Sequence, residues 1–391
     1  MAAELSALVA TTPLDLPVES MDVYTRLPPE LQEYIIAQLG DDKHALSECS
    51  LVCSHWSVAT RYHLFQHTTI RLNRKNFQQF CELLATQRLN VYIARLQLET
   101  HDRTLQFNHD LHRLTGLPSL KYLRLEFRQN NLLPQFFTAC AANFQSVTDL
   151  ELFRMYFDSF GQFMHLLDTL PLLRRLSVTA VNISSDPNHE DTWISTSSRP
   201  PNLVDFAVSY DVMPGLLSWL PSQTTIRRLA IWSARRNRDS DTPLLSTVLS
   251  TLGPHLEHLI LSDTDISHPL DLSHCTALRT FELTGVRVLP DNTGADLEWL
   301  PTLLSSLNSP ALRRIVLVVY FRSTAALDCI NWPRIAKILE DHRSIQQVEI
   351  ALSPQSLDWA APLIAERFHP RHYVLRVKVR GRQYSLKAFG D

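Results

Sequence analysis

Glycine is scarce in this sequence. The 391 residues include nine glycines, and no two of them are closer than nine positions. Phosphate-binding loops need closely spaced glycines, because only then can several backbone N–H groups approach the anion. This spacing excludes Walker-type and dinucleotide-binding loops. The Gly-x-Ser-x-Gly turn of many serine hydrolases is absent as well.

Long apolar runs and a strong net charge are also lacking. The longest apolar run, Ile315 to Phe321, fits a buried strand and is far shorter than the ~20 residues of a membrane-spanning helix. A formal net charge of −3 gives no reason to expect nucleic acid or an anionic membrane as a partner. The first twenty residues contain Glu4 and Asp15 and no basic region, so no secretory signal is expected. Six cysteines without paired spacing are typical of reduced thiols. We therefore expect a soluble protein of the cytoplasm or nucleus.

Three short helices are predicted between Leu27 and Phe65. Pro28 and Pro29 suit a first helical turn, where a missing N–H costs nothing. Apolar residues then recur at helical spacing, namely Leu31, Ile35, Ile36 and Leu39. Gly40 favours a helix end, and Asp41 or Asp42 can cap the next helix. In the second helix, the inner face is predicted to contain Leu46 and Cys49. Val52, Trp56 and Ala59 have the spacing of a third helix.

The same segment resembles the F-box. Its order is Leu-Pro-x-Glu-Leu-x-x-x-Ile-Ile-x-x-Leu, then Leu-Ser-x-Cys-Ser-Leu-Val-Cys-x-x-Trp and a closing Leu-Phe. The residues that match the family pattern are Leu27, Pro28, Leu31, Ile35, Leu39, Leu46, Val52, Cys53 and Trp56. In that family the module binds the Skp-type adaptor of a cullin–RING ubiquitin ligase. The resemblance implies an adaptor-binding surface formed by Leu27, Pro28, Leu31, Ile35, Val52 and Trp56. The pattern leaves open which of them contact the adaptor and which form the core of the module.

A zinc site is the alternative reading of the cysteines in this segment. Cys49 and Cys53 are four positions apart, and His63 and His67 repeat that spacing. Both cysteines occupy positions that the F-box pattern fills with packing residues, so we interpret them as buried thiols. No metal and no cofactor is expected.

The remainder of the chain repeats an apolar triad at positions i, i+3 and i+5. The ten copies begin at Ile93, Leu120, Val147, Leu173, Leu203, Ile226, Leu256, Leu278, Leu312 and Ile345. Stretches with helical periodicity separate several of them, namely 76–84, 160–167, 244–252 and 332–339. A strand, a connecting helix and the next strand at this period predict stacked right-handed coils with a parallel sheet on one side.

This pattern resembles a leucine-rich-repeat solenoid, with one departure. The family's Asn or Cys at position i+8 is missing, so an irregular solenoid is expected. Leu375, Val377 and Val379 alternate with basic residues and predict a final strand, whose basic side either caps the solenoid or contacts an anion. The predicted fold is therefore α/β, with a flexible tail (1–22), a three-helix F-box module (23–70) and an irregular leucine-rich-repeat-like solenoid (71–391). This combination resembles fungal-type F-box proteins.

A second predicted surface lies on the strands. Positions i+2, i+4 and i+6 point away from the triads, toward the concave side that solenoids use for partners. Aromatic residues and Arg are enriched at interface hot spots. The candidates for target binding are Tyr122, Phe153, Arg228, Trp232 and Arg314. The alternative is an ordinary sheet surface on which a neighbouring loop half-buries Trp232.

Three functions are compatible with this sequence. The first is a non-catalytic substrate receptor of an SCF-type (Skp–cullin–F-box) ubiquitin ligase, which binds the adaptor through the module and an unknown protein target through the solenoid. The second is a scaffolding protein that binds a partner without directing ubiquitination. The third is an enzyme with a site between repeats, which the missing loops and the missing Ser/His/Asp or metal constellations disfavour.

Overall fold

The structure is a computed structural model of the 391-residue chain. It describes residues 27–40, 42–66, 70–72, 74–87, 89–100, 114, 116–127, 134–183, 202–209, 214–232, 242–262, 270–288, 297–321, 323–352, 357–367 and 372–379. The predicted tail, 1–22, lies outside the described residues. So do Asp41, His67 and several of the i+8 positions.

The chain divides into two compact units. The first contains Met1–Leu173 and Ser184–Pro201, and the second contains Arg174–Ile183 and Asn202–Asp391. This division falls within the repeats. The predicted boundary between module and solenoid, at residue 70, stays a prediction.

Three helices open the first unit where they were predicted. They are α1 (Pro29–Gln38), α2 (Lys43–Cys49) and α3 (Ser54–Gln66). Gly40, at φ +53°, follows the end of α1 in the left-handed conformation that glycine adopts without strain. The Asp42 carboxylate caps α2 by accepting from the N–H groups of His44 and Ala45, at 3.1 and 3.0 Å. Both α1 and α2 pack against α3.

Four parallel strands follow in the first unit. Its further elements are β1 (Ile70–Leu72), α4 (Arg74–Gln87), a 3₁₀ turn (Leu89–Val91), β2 (Arg95–Thr100), β3 (Tyr122–Phe127), α5 (Pro134–Asn143), β4 (Asp149–Phe153), β5 (Tyr156–Phe157) and α6 (Phe160–Asp168). β1 to β4 pair in chain order, each parallel to the next. The strand order therefore matches that predicted for stacked coils.

The second unit continues the same pattern. Its elements are β6 (Arg175–Thr179), β7 (Asn182–Ile183), β8 (Asp205–Ser209), α7 (Pro214–Trp219), β9 (Arg228–Trp232), α8 (Thr242–Leu252), β10 (His258–Ser262), β11 (Thr280–Val288), α9 (Trp299–Ser305), β12 (Arg314–Phe321), α10 (Thr324–Leu327), α11 (Trp332–Asp341), β13 (Gln347–Leu352), α12 (Leu357–Arg367) and β14 (Val374–Val379). Two further 3₁₀ turns span Leu220–Ser222 and Gly253–His255. β6 and β8 to β14 form a parallel sheet in chain order.

The ten predicted triads form the cores of the two units. Every triad residue is buried, none with more than 3% of its surface exposed. The register pairs equal positions of neighbouring copies, as in Leu259 with Phe281 and Leu261 with Leu283. The predicted final strand is confirmed too, since Leu375 and Val377 of β14 pair with Val348 and Ile350. The mixed α/β fold with a parallel sheet is thus confirmed.

Hydroxyl groups help to join neighbouring coils. Ser146 donates to the carbonyl of Leu120 at 2.9 Å, Thr225 to that of Leu203 at 2.7 Å, and Ser309 to that of Leu278 at 2.8 Å. The i+8 positions that carry Asn in regular repeats hold buried apolar residues at Met155, Val181 and Val286. Ser and Thr at the entry of the strands thus contribute hydrogen bonds between coils. None of the helices in the described ranges has the length and the apolar content that crossing a bilayer requires.

Candidate interaction surfaces

Large apolar side chains are exposed on the three opening helices. We name this set the module face: Leu27, Leu31, Tyr34, Ile35, Leu51, Val52, Val58 and Tyr62, with 38–64% of each residue exposed. Only four other large hydrophobic residues of the described chain are exposed, Val91, Leu172, Val204 and Val374. Such a concentration of exposed apolar side chains is typical of a docking surface.

The geometry of the helices explains the module face. Leu31, Tyr34 and Ile35 are spaced at i, i+3 and i+4 and therefore share one side of α1. Ile36, one position further, points into the core and is fully buried. On α3, Val58 and Tyr62 share a side at i and i+4.

Five of the six predicted adaptor-binding residues are exposed. Leu27 and Pro28 precede α1, Leu31 and Ile35 lie on it, and Val52 is exposed. Val52 lies in the turn between α2 and α3, whereas its spacing had indicated the third helix. Trp56 is half-buried on α3. Four residues of the module face were missed, namely Tyr34, Leu51, Val58 and Tyr62, although the helical spacing of Val58 and Tyr62 was readable.

The interpretation of the two cysteines as buried thiols was wrong for Cys53. Cys53 directly precedes α3 and is exposed, while Cys49 is half-buried. The F-box pattern assigned both to packing positions, but α3 begins only at Ser54, so Cys53 does not share its inner side. Within the described ranges, no three His, Cys, Asp or Glu side chains are grouped as metal ligands.

In the first unit, a hydrogen-bonded network occupies the face of the sheet opposite the triads. The buried Glu151 carboxylate accepts from the Tyr122 hydroxyl at 2.5 Å and from Arg124 Nη1 at 2.8 Å. Arg124 also bridges to the buried Glu126 at 3.3 Å. Burial, followed by the neighbouring Glu151 carboxylate, raises the pKa of Tyr122 far above its ordinary value. Tyr122 is therefore held as a neutral hydrogen-bond donor.

Two guanidinium groups lie over the ring of Phe153. The Cζ atoms of Arg124 and Arg154 are 4.7 and 4.8 Å from the centre of its ring. Arg95 stacks in the same way on Tyr122, at 5.1 Å. The two predicted target-binding residues of this unit, Tyr122 and Phe153, are thus brought together through Arg124.

In the second unit, arginines pair with buried carboxylates across neighbouring strands. Asp205 Oδ2 lies 3.2 Å from Nε of Arg175, and its Oδ1 lies 3.7 Å from Nε of Arg228. On β12 and β13, Arg314 Nη2 lies 2.9 Å from the buried carboxylate of Glu349. Burial, and next the charge of Arg228, lower the pKa of His258, so its imidazole is neutral at pH 7.

Apolar clusters adjoin these pairs on the same face. Trp232 is half-buried and packs against Ala207, Ala230 and Ile260. Tyr320 packs in the same manner against Val316, Val318 and Ala351. The small alanine side chains leave room for the indole, so Trp232 is half-buried against neighbouring strands, whereas the sequence had suggested a loop as the cover. Arg228, Trp232 and Arg314 all lie on this face.

Comparisons with known proteins leave the family of the chain open. No family model matches it, and no curated protein matches it in sequence. Among solved structures, it is similar to a chain from the crystal structure of the Rad7 and Elc1 complex in yeast. That match has a TM-score of 0.41 and 13% identity, and it covers 89% of this chain and 88% of that chain. A TM-score of this size does not establish a shared fold, so the interpretation of this chain rests on its own residues.

Proposed function

We propose that this chain is the substrate-recognition subunit of an SCF-type ubiquitin ligase that acts in the cytoplasm or nucleus. The observation that carries the proposal is the module face, eight exposed apolar side chains within residues 27–62. These residues occupy the segment whose order resembles the F-box. A Skp-type adaptor is the partner that this resemblance implies, and through it a cullin–RING ligase.

In this proposal the chain performs no chemistry. It brings a target protein close to the conjugating enzyme and so raises the local concentration of target lysines. The target would bind the face of the sheet opposite the triads, through Tyr122 and Phe153 in the first unit and through Arg228, Trp232 and Arg314 in the second. The exposed or half-buried state of these five side chains supports this assignment.

Capture of the adaptor tests the proposal. Leu31→Asp with Ile35→Asp places two charges on the module face without touching the buried Ile36. The matched control is Val91→Asp with Leu172→Asp, because these residues are 47% and 54% exposed, against 50% for Leu31 and 38% for Ile35. Each tagged full-length chain is captured from cells, and the co-purified adaptor and cullin are quantified.

We expect the wild type and the control to recover adaptor and cullin, and the Leu31→Asp/Ile35→Asp chain to lose at least about 90% of both, since a buried unpaired charge costs more than one tenfold step in affinity. Equal recovery with the variant and the control would refute the adaptor-binding surface. Recovery of the adaptor without the cullin would instead support the scaffolding function.

A further inference from the structure

Two arginines of the second unit are exposed above buried carboxylates. The side chains of Arg228 and Arg314 are 36% and 44% exposed, whereas those of Asp205 and Glu349 are 6% and 5% exposed. Glu349 accepts a hydrogen bond from Arg314 at 2.9 Å and so restricts the orientation of its guanidinium group, whereas Asp205 attracts Arg228 as an ion pair at 3.7 Å. The guanidinium groups are therefore accessible to solvent, whereas the carboxylates are not. A pre-oriented guanidinium suits a carboxylate or a phosphate group.

Each arginine shares its strand and its side of the sheet with an aromatic residue that packs on smaller apolar side chains. Trp232 ends the strand that begins with Arg228, and it packs on Ala207, Ala230 and Ile260. Tyr320 lies six positions after Arg314 on β12 and packs on Val316, Val318 and Ala351. The same combination of cation and aromatic ring thus occurs twice on one face, and it suits a segment with both anionic and apolar side chains.

The register sets the distance between the two arginines. Arg228 pairs with His258, His258 with Thr280, and Thr280 with Arg314. Three strand spacings of about 4.8 Å separate the arginines by roughly 14 Å along this row. An extended chain advances about 3.4 Å per residue, so that span corresponds to about four residues. Glu282 follows Thr280 by two positions in the same strand and would disfavour a third anion midway.

We infer that this face of the second unit binds an extended acidic segment, in which two anionic side chains are about four residues apart. The inference deepens the proposed function, on which it rests for the identification of that segment as part of a target protein. Arg228 and Arg314 each receive one anion. The anions are carboxylates or phosphates, since both match the guanidinium geometry.

Fluorescein-labelled peptides distinguish the two sources of the anion. The probes share the sequence Gly-Ala-X-Ala-Leu-Ala-X-Ala-Gly, in which both X residues are serine, glutamate or phosphoserine. A further probe, Gly-Ala-X-X-Leu-Ala-Ala-Ala-Gly, places two phosphoserines side by side. Binding to the full-length chain is measured by fluorescence anisotropy at two salt concentrations.

We expect at least one anionic probe to bind about tenfold more tightly than the serine probe, and this preference to shrink at high salt. Tight binding of the glutamate probe would show that carboxylates are sufficient for binding. Tight binding of the phosphoserine probe alone would show that phosphate groups are required. Equal binding of the serine probe and both anionic probes would overturn the inference. Equal binding of the adjacent and the spaced phosphoserine probes would overturn the four-residue spacing.

Three variants locate the binding site. Arg228→Ala leaves Arg175 beside Asp205, and Arg314→Ala with Glu349→Gln removes the arginine and the negative charge beneath it together. The control is Arg279→Ala, because this exposed arginine at the entry of β11 pairs with Glu257 at 3.4 Å and lies outside the row. Circular dichroism and the urea midpoint establish that each variant is folded.

We expect each of the first two variants to weaken binding of the preferred probe at least about fivefold, and Arg279→Ala to bind like the wild type. An equal loss in all three variants would show non-specific attraction and contradict the inference. The Leu31→Asp/Ile35→Asp chain is expected to retain peptide binding. If the chain captures the adaptor but does not prefer anionic probes, this inference fails and the proposed function stands; the opposite outcome refutes only the proposed function.

Discussion

Glu151 accepts hydrogen bonds from two side chains of the neighbouring strand although it is almost completely buried. A buried carboxylate is stable only when such donors replace water. Asp205 and Glu349 have arginine partners in the second unit. The identity of these acids was visible in the sequence, but their partners were not, because each pair joins residues about thirty positions apart. At this scale, the sequence predicted the candidate binding residues, and the structure revealed the buried carboxylates that pair with several of them.

Tyr122→Phe tests the network around Glu151. Without the hydroxyl, Glu151 loses a short hydrogen bond of 2.5 Å. We expect the free energy of unfolding to fall by about 1–3 kcal/mol, the usual range for a hydrogen bond to a charged group. Urea denaturation measures this change. Glu151→Gln combined with Tyr122→Phe completes a double-mutant cycle, and independent, additive effects of the two changes would contradict a direct interaction.

The same variant has a predictable dependence on pH. The pKa of Tyr122 is raised in the folded chain, mainly by burial, so the folded state keeps this proton longer than the unfolded state does. The resulting stabilisation is complete below the ordinary tyrosine pKa of about 10 and is lost as the pH rises further. We therefore expect the difference in stability between wild type and Tyr122→Phe to narrow above about pH 10. A stability difference between the two proteins that stays constant above about pH 10 would contradict a raised pKa of Tyr122.

At the scale of the elements, the triads predicted ten strands and their order correctly, whereas β1, β5 and β7 were not predicted. Residues at i+3 and i+5 face one side of a strand, so their repetition predicts both the strand and its buried side. The bulge in β11 was not readable, since the register shifts between Leu283 and Val286 around Gly285, at φ +85°. The hydroxyl groups that join coils also escaped prediction, because their carbonyl partners belong to the preceding copy.

Gly253→Ala tests the close approach of two loops in the second unit. A Cβ atom at position 253 would lie 2.8 Å from the carbonyl oxygen of His274, which is backbone and has little freedom to move. We expect the free energy of unfolding to fall by about 1–3 kcal/mol through this overpacking, as measured by urea denaturation.

Gly40→Ala is the matched control for backbone strain without a steric clash. Gly40 has φ +53°, and no atom lies within 4 Å of the position that an alanine methyl group would occupy. The cost of this substitution should therefore be limited to about 1 kcal/mol of conformational strain. A Gly253→Ala chain as stable as the wild type would show that the loops separate readily.

At the scale of the whole molecule, the two candidate surfaces belong to different compact units. The module face lies in the first unit, and the row from Arg228 to Arg314 lies in the second. Repeat proteins distribute their stability among neighbouring coils rather than over the whole chain. A core defect in one unit should therefore leave the surface of the other intact.

Phe281→Ala and Ile36→Ala test whether each surface depends only on the core of its own unit. Both residues are fully buried, Phe281 in β11 and Ile36 in α1. Truncation is expected to cost about 3–5 kcal/mol at Phe281 and about 2–5 kcal/mol at Ile36. We expect Phe281→Ala to reduce binding of the acidic peptide while adaptor capture persists, and Ile36→Ala to reduce adaptor capture. Loss of adaptor capture in Phe281→Ala would contradict independent units.

The amino-acid sequence by itself determined the three opening helices, the parallel order of the ten triad strands and the side of each strand on which the triad is buried. These features follow from the repeat of apolar residues every 3.6 positions in helices and every 2 positions in strands, which is local in the sequence. Only the tertiary structure decided that Ile36 is buried while Ile35 is exposed, and that Arg228 and Arg314 lie above Asp205 and Glu349. Neighbouring residues of one apolar stripe differ in exposure only after the helices have packed. Pairs between coils likewise depend on the register of strands that are distant in the sequence.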